Sequence, residues 1–106
     1  MKDKLDREIQ EGQYAMVLAT QWKSNDIAII FVKIDRVQGS RVYIKRPFEI
    51  QGQIRVEETW TSPSKIVLIK EPTFVEGLKH CIAKSINARP NKPNVEELFE
   101  QTMQML

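Results

Sequence analysis

Five short runs of aliphatic, β-branched and aromatic residues, separated by turn-forming clusters, constrain this fold more than any other feature of the sequence. The gaps between runs are too short for the dozen or so residues of a parallel crossover, so neighbouring strands are predicted to be antiparallel. The second and fifth runs are apolar on both faces, which predicts central or covered strands. The predicted strands cover residues 13–20, 27–36, 41–46, 53–58 and 65–70.

After Pro72 the hydrophobic period changes to that of a helix. Thr73 and Glu76 form the T-x-x-E pattern of a capping box, and the sequence predicts a helix over 73–86. A second helix is predicted over 94–105, beginning at Asn94. The predicted core combines strand and helix positions: Val42, Ile44, Ile54, Val56, Leu68, Leu78, Ile82, Leu98 and Phe99.

The N-terminal residues 1–11 are predicted to form a short amphipathic helix. Leu5 and Ile9 are spaced four apart on a charged background, and Gly12 stands where a helix would end. The sequence therefore predicts one α+β domain over residues 1–106, in which a five-stranded antiparallel meander over 13–70 lies between this helix and two C-terminal helices. In its order of elements the meander is similar to small barrels of the SH3-like and Sm-like kind, or to a curved sheet.

Catalytic and metal-binding patterns are weak throughout the sequence. His80 and Cys81 are the sole histidine and cysteine, and adjacent helix positions point in different directions, so they cannot act as base and nucleophile. Glu57 and Glu58 would face opposite sides of a strand, and no glycine-rich phosphate loop occurs. We therefore expect no enzyme activity, no metal or cofactor, and no small-molecule substrate.

Cysteine content and hydropathy favour a cytoplasmic location. A single cysteine excludes an intramolecular disulfide. The N-terminal residues are charged and lack the apolar stretch of a secretory signal. The longest apolar run, from Ile27 to Val32, is too short to cross a bilayer, so no membrane partner is expected.

Basic and aromatic residues cluster in the third predicted strand and its surroundings. Arg41, Tyr43 and Lys45 alternate and should share one face of the sheet. Arg46 and Phe48 follow at the end of this strand, and Arg55 lies on the polar side of the next one. Two tryptophans, Trp22 and Trp60, are assigned to turns that rim this face.

Cations with stacking rings are what single-stranded nucleic acid requires, because lysine and arginine neutralise phosphates while aromatic faces stack on unpaired bases. The sequence predicts a small protein that binds single-stranded DNA or RNA through the residues just named. Two alternatives stay open. The same tryptophans and basic strand could bind an acidic protein, as in an adaptor or inhibitor, or Tyr43 could be a cross-strand packing residue.

The second C-terminal helix carries an apolar stripe that reaches Met103, Met105 and Leu106 without a polar end. Such a stripe either packs on the sheet or meets a second copy of the chain. Exposed methionines suit an adaptable contact surface. The sequence predicts a homodimer formed through this helix.

Overall fold

The structure is a computed structural model that describes residues 1–20, 27–50, 52–86 and 94–106. These residues form an α+β fold in which an antiparallel five-stranded sheet is followed by two helices. The elements, in chain order, are β1 Tyr14–Thr20, β2 Ile27–Gln38, β3 Arg41–Ile50, β4 Gln53–Thr61, a 3-10 turn Pro63–Lys65, β5 Ile66–Ile69, α1 Glu71–Ile86 and α2 Val95–Met105.

The five predicted strands and the two predicted C-terminal helices are confirmed. The strand order is β4-β3-β2-β1-β5, and every neighbouring pair is antiparallel. The predicted five-stranded meander is wrong at β5, because a meander would place β5 beside β4, whereas β5 pairs with β1. The doubly apolar β2 is the central strand, as its composition predicts, while β5 lies at an edge.

The connection from β4 to β5 requires a strongly curved sheet. Thr61 and Ile66 lie on the two edge strands, which a flat sheet would separate by about 19 Å across the strands alone. The chain from Thr61 to Ile66 covers at most about 18 Å when fully extended, and part of it is a shorter 3-10 turn. The two edges of the sheet must therefore approach each other.

Both faces of the sheet hold buried residues. One face forms a cluster around Val32, Ile34 and Ile44, which Ile9 of the N-terminal segment joins. The opposite face is covered by α1 and α2, and the helix residues buried there are Phe74, Leu78, Ile82, Ile86 and Leu98. Partly buried sheet residues, including Tyr14 and Phe31, pack against these helices. The sheet is thus an inner layer between two apolar clusters.

Two predicted core residues are less buried than expected. Val56 lies on the edge strand β4 opposite Pro47 and is half-buried. Phe99 is half-buried, and the ammonium of Lys79 lies 4.8 Å from its ring centroid. The other predicted core residues are buried.

The predicted N-terminal helix is wrong. Residues 1–11 form a turned segment with an isolated antiparallel bridge between Lys2 and Glu8. The buried carboxylate of Asp3 accepts hydrogen bonds from the backbone N–H groups of Leu5 and Arg7, which fold the chain back on itself. Of the two apolar residues that suggested a helix, Ile9 is buried and Leu5 is exposed.

The helix starts differ in how closely they match the capping patterns. The side chain of Asn94 accepts a hydrogen bond from Glu96 N at 2.9 Å, so the predicted start of α2 is confirmed. Helix α1 begins at Glu71, with Pro72 in its first turn, where the missing N–H costs no hydrogen bond. The predicted capping box at Thr73 therefore lies inside the helix.

Candidate nucleic-acid interface

The sheet register places Arg41, Tyr43 and Lys45 on one face, as their alternation predicts. Tyr43 lies directly opposite Trp60 of β4, and the predicted turn position of Trp60 is wrong because this residue belongs to the strand. Trp60 keeps 50% of its surface exposed. Trp22 lies outside the described residues.

A bulge in β2 adds a residue to this face that the sequence analysis missed. Ile34 pairs with Ile44, but the next pair joins Arg36 to Tyr43, so Asp35 is the extra residue of the bulge. Regular alternation would place Arg36 on the other face of the sheet, and a bulge re-aims the side chains that follow it. No local sequence pattern marks this position, because the bulge is defined by pairing with β3.

Two arginine–aromatic pairs lie on this face, each with a guanidinium over an aromatic ring. The guanidinium of Arg36 lies 4.2 Å from the ring centroid of Tyr43, and that of Arg41 lies 4.3 Å from the ring centroid of Trp60. Both distances fall within the range of cation–π contacts. Because Tyr43 and Trp60 are cross-strand partners, the pairs are adjacent on the sheet. We call Arg36, Arg41, Tyr43, Lys45 and Trp60 the stacked face.

The stacked face carries more cations than carboxylates. Asp35 contacts Arg36 at 2.7 Å and Lys45 at 4.0 Å, and Glu58 lies opposite Lys45 in the ladder. Arg41 is exposed and forms no ion pair with a described residue. Its charge is therefore available to an anionic partner.

Three of the predicted binding residues lie elsewhere. Arg46, Phe48 and Arg55 are out of phase with Tyr43 and Trp60 in a ladder without register shifts, so they face the opposite side of the β3–β4 pair. The expectation that Arg55 shares the face of Tyr43 is wrong. Of the eight predicted positions, the structure brings together Arg41, Tyr43, Lys45 and Trp60.

A second feature is a cleft formed where the sheet splits. Strands β2 and β3 pair as far as Lys33 and Lys45, beyond which β2 pairs with β1 alone and β3 pairs with β4 alone. Helix α1 lies along this gap, and the cavity there, which β4 and α2 also help to line, has a volume of about 570 Å³. Its walls include Phe48, Cys81 and Lys84.

Within the described residues, no three histidine, cysteine, aspartate or glutamate side chains are grouped as metal ligands would be. No helix in the same part of the chain is long and apolar enough to cross a membrane.

No family model matches the sequence, and comparison with curated proteins finds no match.

Proposed function

We propose that the stacked face binds single-stranded DNA or RNA. The observation that carries the proposal is the pair of adjacent arginine–aromatic stacks, Arg36 on Tyr43 and Arg41 on Trp60, at an accessible sheet surface. Guanidinium planes and aromatic rings both stack on unpaired bases, and arginine also neutralises phosphate. A duplex hides its base faces, so the surface favours single strands.

The stacks also preorganise the site. An arginine held over a ring loses less rotamer freedom on binding than a solvated one, so the cost of ordering the surface is reduced. Lys45, held 4.0 Å from Asp35, lies beside the stacks and is placed to contact a phosphate. Binding of this kind depends on charge and stacking and reads little base sequence.

We expect removal of either ring to weaken binding. Tyr43→Ala or Trp60→Ala should each cost about 1–3 kcal/mol of binding free energy to a labelled single-stranded oligonucleotide, measured by fluorescence anisotropy. Trp60→Phe should retain most of the affinity because it keeps an aromatic face. Arg55→Ala is the matched control, since it removes an exposed arginine from the opposite face of the same strand pair. Circular dichroism must show that each variant is folded.

Salt dependence tests the electrostatic part of the proposal. The logarithm of the affinity should fall linearly with the logarithm of salt concentration, and Arg41→Ala should reduce the slope by about 0.7 for a single strand. Arg55→Ala should leave the slope unchanged. Tighter binding to a duplex of equal length, or no binding to a single strand at low salt, would contradict the proposal and favour the acidic protein partner.

Three finer predictions remain proposals. The curved sheet with its short β4–β5 connection supports a small barrel of the SH3-like or Sm-like kind. A cytoplasmic location is a prediction from composition.

A homodimer through α2 would be limited to a small surface, because Leu98 and Thr102 are buried within the chain and Met105 is exposed. Light scattering at micromolar concentration would test the dimer.

A further inference from the structure

The cleft between β2 and β3 has the composition of a ligand site and is separate from the stacked face. Its volume of about 570 Å³ falls in the range of small-molecule pockets, roughly 300–1,000 Å³. The sequence predicts no small-molecule substrate. The cleft is invisible at that level because strands and a helix that are distant in sequence form its walls.

One side of the cleft is apolar and remains partly open to solvent. Phe31, Leu78 and Ile82 line it, and Ile29, at its wall, keeps 52% of its surface exposed. Large aliphatic side chains exposed beside a cavity favour an apolar occupant, since burying them removes apolar surface from water.

The other side of the cleft carries two cations, which have no carboxylate partner among the described residues. Arg46 and Lys84 line the cavity, and neither forms an ion pair with a described residue. The carboxylate that also lines the cleft, Glu49, accepts hydrogen bonds from Gly52 N and Ser85 Oγ, both at 2.7 Å. In the described part of the cleft, two cations thus face one carboxylate that already accepts two hydrogen bonds.

The thiol of Cys81 also belongs to the lining of the cleft. Partial burial raises the pKa of Cys81, and the charges of Lys84 and Arg46 act in the opposite direction. Cys81, Arg46 and Lys84 all line the cavity. Cys81 is the sole cysteine of the chain and is exposed, so it reports on occupancy of the cleft.

We propose that the cleft binds an organic anion with an apolar body, a medium-chain carboxylate in its simplest form. The hydrocarbon chain lies against Ile29, Phe31 and Ile82, and the carboxylate lies between Arg46 and Lys84. The proposal is independent of nucleic-acid binding, because none of these residues belongs to the stacked face.

The test measures the rate at which N-ethylmaleimide, a neutral reagent, modifies Cys81. Dodecanoate below its micelle concentration should slow this reaction. Dodecanol, which lacks the charge, should require at least about ten times the concentration for the same protection, since a charge-assisted contact contributes at least that factor in affinity. The double variant Arg46→Gln/Lys84→Gln should bind dodecanoate no better than dodecanol. Lys65→Gln removes an exposed lysine outside the cleft and should change nothing.

A second variant tests the apolar wall. Ile29 is exposed, so Ile29→Ser should leave the protein folded while weakening dodecanoate and dodecanol by similar factors. Absence of protection by either ligand would overturn the site. Equal protection by both ligands, or full binding of dodecanoate by the double variant, would overturn the anion subsite.

Discussion

Replacing Asp3 with asparagine is expected to lower the free energy of unfolding by about 3 kcal/mol, because it leaves buried donors without an acceptor. The Asp3 side chain is fully buried. Its Oδ1 accepts hydrogen bonds from Leu5 N and Arg7 N, and its Oδ2 accepts from Leu68 N at 2.9 Å and from the guanidinium of Arg7. An asparagine side chain has one acceptor oxygen, so it cannot replace both Oδ1 and Oδ2. With its NH2 group at the Oδ2 position, its N–H groups would face the N–H of Leu68 and the guanidinium of Arg7.

This single carboxylate joins the N-terminal segment to the sheet. Arg7 also donates to the carbonyl of Leu68, and Lys4 N donates to the carbonyl of Ile66, so the segment lies along the outer edge of β5. An uncovered edge is a template for pairing with another chain. Loss of the Asp3 contacts should therefore expose β5 as well as lower stability.

The matched control is Asp6→Asn, the same chemical change in the same turn. Asp6 is 86% exposed in its side chain, and asparagine tolerates its positive φ of 64°. We expect an effect within about 0.5 kcal/mol, measured by urea denaturation. Similar losses for the two variants would show that the turn, and not the buried carboxylate, sets the stability.

The pH dependence of the Asp3 effect has a defined sign. Burial raises the pKa of Asp3, but the hydrogen bonds from Leu68, Arg7 and Leu5 together lower it below its ordinary value of 3.8. A group with a lowered pKa contributes stability above its unfolded-state pKa and loses it as the pH falls through the folded-state value. The difference between wild type and Asp3→Asn should therefore be constant near neutral pH and shrink below about pH 4.

The strands were predictable from the sequence because alternation and turn chemistry are local. The position of β5 was not, since its pairing with β1 joins residues about fifty positions apart and depends on the curvature of the whole sheet. The N-terminal helix was mispredicted because the spacing of Leu5 and Ile9 fits a helix, whereas Asp3 binds long-range donors that no local pattern reveals.

The stacked face was predictable to the extent that it follows strand alternation. Arg41, Tyr43 and Lys45 share a face because they are two residues apart. Arg36 joins them through the bulge at Asp35, and Arg55 leaves them because its phase in β4 is fixed by the hairpin register. Register, which is set by pairing and turn geometry, is the physical quantity that the sequence analysis lacked.

Gly77→Ala should destabilise the protein, although the same change in an ordinary helix interior stabilises by about 1 kcal/mol. A Cβ on Gly77 would lie closer to Cε1 and Cζ of the Phe31 ring than real Cβ contacts come. Helix α1 rests on β2 at this point, so either the ring or the helix must move. Overpacking of this kind costs about 1–3 kcal/mol, and thermal or urea denaturation would measure it.

Phe31→Leu supplies the test of this mechanism, because a smaller side chain relieves the clash. Alone it should cost less than about 1.5 kcal/mol. In the Gly77→Ala background it should restore stability, so that a double-mutant cycle gives a favourable coupling of about 1–2 kcal/mol. His80→Ala, an exposed position three residues further along α1, controls for the gain in helix propensity. If Gly77→Ala alone raised the free energy of unfolding, helix propensity would outweigh contact with Phe31, and α1 would not pack on β2 as closely as the structure describes.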